Sequence, residues 1–150
     1  MLHVVLVEPE IPWNTGNSGR SCLATGAQLH LVKPLGFSLE AKQLRRAGLD
    51  YWRHVDPRVH ESFTEFERVL PELGQPFLFT VDAPRTLFEI EIPEDAVFLF
   101  GRESDGFEGS VRRRYAEHAV GLPIESPHVR SLNLSTCVGI AVYEYDRQRR

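Results

Sequence analysis

The feature that most constrains this chain is a series of short apolar runs at residues 2–7 (LHVVLV), 27–32 (AQLHLV), 75–81 (QPFLFTV) and 95–101 (DAVFLFG). Each is rich in branched or aromatic side chains and lies among Pro, Gly or Asp. Near-continuous apolar runs of this length suit strands buried on both faces, as in a parallel sheet covered by helices. Residues 118–123 (HAVGLP) form a weaker fifth candidate. Helical patterns fall between the runs, at 15–25, 40–47, 62–70 and 108–116, with Phe63, Phe66 and Leu70 on one face of the third. Alternation of strand and helix predicts an α/β fold, a mostly parallel sheet flanked by helices. The strongest helix is the last, where Leu134, Cys137, Val138, Ala141, Val142 and Tyr145 make a single apolar stripe.

At 150 residues, 42% hydrophobic and 25% charged, the chain is expected to be one domain spanning 1–150. The two cysteines, Cys22 and Cys137, form no C-x-x-C pair and read as buried, reduced thiols. The N-terminal apolar run is too short to cross a bilayer and lacks a basic leader, so no export or membrane segment is expected and the location should be cytoplasmic. A formal net charge of −4 argues against gripping nucleic acid with the whole surface. Local basic patches remain, at Lys42, Arg45, Arg46 and Arg53 and at Arg112, Arg113 and Arg114. Each patch taken alone reads as a solvated helix face.

In a parallel α/β sheet, ligands collect at the carboxyl ends of the strands, and three loops there are unusual. Residues 8–20 (EPEIPWNTGNSGR) stiffen the strand exit with two prolines and deliver Arg20 from an early helical turn, with Asn14, Thr15 and Asn17 as caps and donors. An ordinary N-cap with a surface arginine, or a phosphate cradle, fits the same residues. Residues 100–109 (FGRESDGFEG) combine Gly101, Gly106 and Gly109 with the carboxylates of Glu103 and Asp105. Most glycine-rich turns are simply turns. Residues 122–135 (LPIESPHVRSLNLS) place Ser131, Asn133 and Ser135 around Leu132 and Leu134, a longer and more polar stretch than capping the last helix requires.

Taken in order, these three segments resemble the signature motifs of the SPOUT methyltransferases. The similarity spans nearly the whole chain and is nearest to the small, domain-only family that methylates the wobble ribose of tRNA. EPEIPWNTGN, KQLRRAGLDYW, LFGRESDGF and SLNLSTCVGIAVYE carry it. The resemblance implies a C-terminal deep trefoil knot, a homodimer joined through the C-terminal helix, and S-adenosyl-L-methionine as cofactor, leaving as S-adenosyl-L-homocysteine. It implies cofactor contacts at Phe79, Thr80, Gly101, Glu103, Leu122, Ser131 and Leu132, largely through backbone. Arg102 stands where close relatives often carry proline.

The implied reaction is 2'-O-methylation of a cytidine or modified uridine at the wobble position of the tRNA anticodon stem-loop. The resemblance implies that the catalytic set is Arg20, with Asn14 and Ser131 or Asn133 orienting it. An arginine is too weak an acid to serve as base, so Arg20 reads as an anchor for an RNA phosphate and a stabiliser of the developing alkoxide. Lys42, Arg45, Arg46 and Arg130 read as RNA-binding. Trp13, Trp52 and Phe107 are candidate stacking surfaces for a base, and Tyr143 and Tyr145 lie on the expected dimer helix. No metal is expected, since the six histidines show no i, i+3 or i+4 pairing. The alternatives are an rRNA 2'-O-methyltransferase, a non-catalytic knotted RNA-binding protein and a flavodoxin-like electron carrier. The last is disfavoured by a phosphate loop poorer in hydroxyls than flavin carriers use.

Overall fold

The computed structural model of the chain describes residues 1–40, 42, 44, 46 and 51–150. Its sheet has the order β3-β2-β1-β5-β4-β6. The strands are β1 (Leu2–Val7), β2 (Gln28–Val32), β3 (Arg58–His60), β4 (Gln75–Phe79), β5 (Ala96–Phe100) and β6 (Ala119–Val120). Every ladder between them is parallel. The helices are α1 (Pro12–Thr25), α2 (Trp52–Val55), α3 (Phe63–Leu73), α4 (Gly109–Arg114) and α5 (Leu134–Arg147).

All residues of β1 and β5 are buried, as double-sided covering requires. One face carries Val4, Leu6, Leu29, Leu31 and Phe98 against Cys22 of α1 and Val138, Ala141 and Val142 of α5. The other carries Val5, Val7, Val97 and Leu99 against Phe66 and Leu70 of α3 and Val111 of α4. The apolar stripe read on the last helix is thus the buried one. Tyr145 is half-buried, donating its hydroxyl to the Glu94 carbonyl at 2.6 Å and lying under Arg149.

Several boundaries differ from the sequence expectation. Helix α1 starts at Pro12, not at residue 15, because proline at the first turn gives up no needed N–H. Helix α3 continues through Pro71 to Leu73, past the expected end at residue 70. Strand β3 was not foreseen: it has only three residues, of which His60 alone is buried. In the expected helix at 40–47, Lys42, Leu44 and Arg46 are helical, with Leu44 fully buried. Arg45 lies outside the described residues.

Because the chain fills one side of the sheet with β1 to β3 and the other with β4 to β6, β1 and β5 are neighbours that lead in opposite directions. Their carboxyl ends form the switch point at which α/β sheets open a crevice. Beyond β6, the chain stays tied to the segment after β4. The Thr80 N–H donates to the Val120 carbonyl, the Leu87 N–H to Gly121, and the Gly121 N–H to Arg85, at 2.8–3.0 Å. From there residues 122–133 return to α5, which packs on α1.

Candidate functional site

The exit from β1 is bent at Glu8, whose φ of 53° lies in the left-handed region that a non-glycine residue rarely adopts. Two contacts hold this turn: the Glu8 N–H donates to the Val32 carbonyl at 2.9 Å, and its carboxylate accepts from Arg102 at 2.8 Å. The same Arg102 bonds Asp105 at 2.7 Å. Burial works against the Arg102 charge, but the contacts with Asp105 and Glu8 outweigh it and raise the pKa. Arg102, the position where the family resemblance fails, therefore clamps the β1 loop to the β5 loop. Next to it Ser104 donates its N–H and hydroxyl to Glu10 at 2.9 and 2.7 Å, which lowers the pKa of that carboxylate.

Glu103 forms the centre of the arrangement. Helix α1 begins with Ile11 at its N-cap, a residue with no side-chain acceptor to offer. The Glu103 carboxylate accepts from the N–H groups of Glu10 and Ile11 at 2.8 and 3.1 Å and from the Asn14 amide at 3.3 Å. A carboxylate at a helix N-terminus also meets the favourable end of the helix dipole. Asn14 is buried, and its carbonyl accepts from the Asn133 amide at 2.9 Å. Asn133 is at the same time the N-cap of α5, accepting from the Thr136 N–H at 3.2 Å. One chain of hydrogen bonds thus ties the three loops singled out in the sequence.

Between these loops opens a cavity of about 520 Å³. Phe79, Thr80, Gly101, Glu103, Leu122, Ser131 and Leu132 all line it, with Asn14, Arg130 and Asn133. The sequence reading did not pick out Phe100 and Asp82 of the same lining, and it had Arg112 only as part of a basic patch. Phe79 stacks on Phe100 with ring centroids 4.4 Å apart, giving the cavity an aromatic wall. Two glycines shape it. A Cβ on Gly101 would stand 2.5 Å from the Gly106 carbonyl carbon, and one on Gly121 would stand 2.9 Å from the Thr80 oxygen. Arg112 pairs with Asp82 and lowers the pKa of its carboxylate by that hydrogen bond. Burial pushes the Cys137 thiol on the lining up to about 11 and that of Cys22 up to about 12, so both stay protonated near neutral pH.

Other expected site residues are not at this cavity. Arg20 is exposed on α1 and does not line it; its guanidinium stands 5.3 Å from the centroid of the Tyr51 ring. Lys42 and Arg46 are exposed. Of the stacking candidates, Trp13 is exposed away from the cavity, whereas Phe107 is the exception among these residues: it is buried against α3 and α4 and also forms part of the cavity lining. Trp52 is half-buried against α1 at Gly19. The packing of Trp52 and Phe107 removes their apolar area from water.

Three of the six histidines, far apart in sequence, meet in space. His3 Nδ1 lies 3.0 Å from His30 Nε2, and His30 Nδ1 lies 3.0 Å from His60 Nε2, a buried row across β1, β2 and β3 with Phe66 edge-on. A row in which each ring nitrogen faces the next is a hydrogen-bond chain. No cluster able to hold a metal ion occurs among the described residues.

A parallel α/β sheet opened at its switch point, with three loops tied around an apolar cavity, is the architecture of the SPOUT methyltransferases. The chain belongs to the SpoU rRNA Methylase family, whose model matches residues 1–143. It is 45% identical to a tRNA (cytidine(34)-2'-O)-methyltransferase of Methylovorus glucosotrophus, over 99% of this chain and 96% of that one. A solved structure concerned with the 2-OH methylation of C/U34 on tRNA superposes with a TM-score of 0.93 at 46% identity, covering 99% of this chain and 96% of that one. The SpoU methyltransferase AviRb of Streptomyces viridochromogenes, in complex with the cofactor AdoMet, shares the fold with a TM-score of 0.84 at 20% identity, over 99% of this chain and 60% of that one.

Proposed function

We propose that this protein is an S-adenosylmethionine-dependent tRNA 2'-O-methyltransferase acting on the wobble cytidine or uridine of the anticodon loop. The observation that carries the reading is the Glu103–Asn14–Asn133 chain closing three loops around one cavity, in a chain so similar throughout to the wobble methyltransferases. The cavity suits the cofactor: about 520 Å³ falls within the range of small-molecule sites. Phe79, Leu122 and Leu132 supply apolar walls for adenine, and Gly101 and Gly121 leave room for backbone to approach.

When bound, S-adenosylmethionine supplies a methyl group on a sulfonium, an electrophile that needs no metal. This chain then has to bind and orient a weakly acidic ribose hydroxyl, whose proton passes to water as the new carbon–oxygen bond forms and the sulfonium leaves as a neutral thioether. Asn14, fixed by Glu103 and Asn133, and Ser131 orient the polar edge of the cavity where the hydroxyl would enter. Arg20 anchors the RNA through phosphate and stabilises negative charge growing on the 2'-oxygen, a role for a preorganised donor with a fork of N–H groups. Positioning of the oxygen in line with the methyl carbon supplies much of the rate. Lys42, Arg46 and Arg130, with Arg45 outside the described residues, hold the phosphates of the stem. Trp13 is the exposed ring left to stack on a base.

Arg20 stands apart from the cavity lining of its own chain. That separation supports a homodimer in which the arginine of one copy serves the cofactor of the other. Exposed Tyr143 on α5 is the apolar contact for such an interface. The C-terminal segment is also proposed to thread the trefoil knot, a reading supported by the bonds of Gly121 to the segment after β4. A cytoplasmic location follows from a tRNA substrate.

The family description names rRNA, which favours one second reading, a ribosomal RNA target. The test is incubation with methyl-labelled S-adenosylmethionine and either unmodified tRNA or ribosomal RNA, followed by nuclease digestion and mass spectrometry. A 2'-O-methylpyrimidine at the wobble position is the expected product. Label in ribosomal RNA alone would transfer the reading to that substrate.

A further inference from the structure

The Arg20 guanidinium has an aromatic seat that the cavity itself does not explain. We infer that Tyr51 is the positioning residue for Arg20, holding its guanidinium extended from α1 toward an anionic oxygen of the RNA; this rests on the role proposed above for Arg20.

The seat is built by adjacent contacts. Tyr51 is the residue immediately before α2, and its carbonyl accepts from the His54 N–H at 2.8 Å. The next residue, Trp52, fits against α1 at Gly19, where a Cβ would stand 2.7 Å from Trp52 Cζ3 and 3.2 Å from Val55 Cγ1. Gly19 precedes Arg20 as Tyr51 precedes Trp52. Packing of Trp52 on the missing side chain therefore fixes α2 against α1, and the Tyr51 ring comes to rest 5.3 Å from Arg20 Cζ.

An exposed arginine otherwise spreads over many rotamers, and ordering it at the moment of RNA binding costs conformational entropy. A ring beneath the guanidinium selects the useful rotamers beforehand. A carboxylate in that place would cancel the charge that RNA needs, whereas a ring orients it and leaves it intact. The phenol stays neutral. Burial raises its pKa, outweighing the charge and hydrogen bond of Arg20, which act to lower it.

The experiment compares Tyr51→Leu, Tyr51→Phe and Arg20→Ala, alone and with Tyr51→Leu joined to Arg20→Ala. Steady-state methyl transfer is measured over a range of unmodified tRNA concentrations, with S-adenosylmethionine affinity by calorimetry. Tyr51→Leu should lower kcat/KM for tRNA about tenfold, the size of a partly desolvated cation–π contact, with cofactor Kd unchanged. Tyr51→Phe should restore the rate to within about threefold of wild type, because the face of the ring is kept. The double variant should be no slower than Arg20→Ala. A wild-type rate for Tyr51→Leu beside an inactive Arg20→Ala would overturn the inference and leave the Arg20 reading standing. Losses that multiply in the double variant, or loss of cofactor binding by Tyr51→Leu, would also overturn it. Full activity of Arg20→Ala would remove the role of Arg20 itself.

Discussion

Single side chains in this protein act through partners far away in the sequence. Glu103 caps α1 from the loop after β5, and Glu103→Ala leaves the Glu10 and Ile11 N–H groups and the Asn14 amide without it. The expected cost is about 1–2 kcal/mol, seen as a lower Tm, together with weaker S-adenosylmethionine binding by calorimetry as Asn14 is released; an unchanged Tm would rule out the cap. Arg20→Lys keeps the charge but loses the fork and the flat face above Tyr51. Its methylation rate should fall well below wild type at unchanged cofactor affinity, and full activity would rule out the role given to the guanidinium. Asn14, Glu103 and Asn133 were each legible from the motifs they sit in. Their hydrogen bonding to one another was not, because 89 and 119 residues separate the pairs. Tyr51 gave no sign of its role for the same reason.

At the scale of elements, the loop after β5 is the most demanding piece. Arg102 and Gly106 exchange backbone hydrogen bonds at 3.1 and 2.9 Å across the turn, and this brings Gly106 onto the Cα of Gly101. In Gly101→Ala, a methyl group 2.5 Å from the Gly106 carbonyl carbon forces the loop to open. S-adenosylmethionine affinity should fall about tenfold or more, as a misplaced site wall implies, and titration calorimetry measures it. Wild-type affinity would show that the loop is compliant. The long apolar strands and α5 were readable because their burial is written in their own period. Helix α1 was misjudged at its start because its cap lies on another loop. β3 was missed because a strand of three residues with one buried side chain carries no pattern.

At the scale of the whole molecule, the sheet itself carries a pH response. Burial lowers the pKa of His30 from 6.5 to about 3, with His3, His60 and Arg58 adding to the shift. The pKa values of His3 and His60 are lowered too, first by burial. The unfolded chain binds protons below pH 6.5 that the folded chain refuses, so stability is complete above that pH and falls as pH drops toward 3. The slope is up to about 1.4 kcal/mol per pH unit for each histidine kept neutral. Urea unfolding between pH 7 and 5, above the carboxylate range, should show this loss, and a His30→Gln variant should show a shallower one. Equal slopes would place the sensitivity elsewhere. Assembly is tested at the same scale: Tyr143→Asp, which puts a charge on the exposed face of α5, should sediment as a monomer and lose methylation while still binding cofactor. A Tyr143→Asp dimer with full activity would exclude that face as the interface.

The sequence by itself determined the α/β class, the strands buried on both faces, the amphipathic last helix and the three loops that matter, because strand and helix periods and glycine-rich turns are local properties. It also carried the family, through motifs that each lie within one short segment. Only the tertiary structure decided which of those residues meet. Parallel pairing of β1 with β5 brings Glu8 and Glu10 to Arg102 and Ser104, and pairing of β1, β2 and β3 lines up three histidines 27 and 30 residues apart. Strand order is settled by burying both faces of the sheet at once, a condition on the whole chain that no single segment contains.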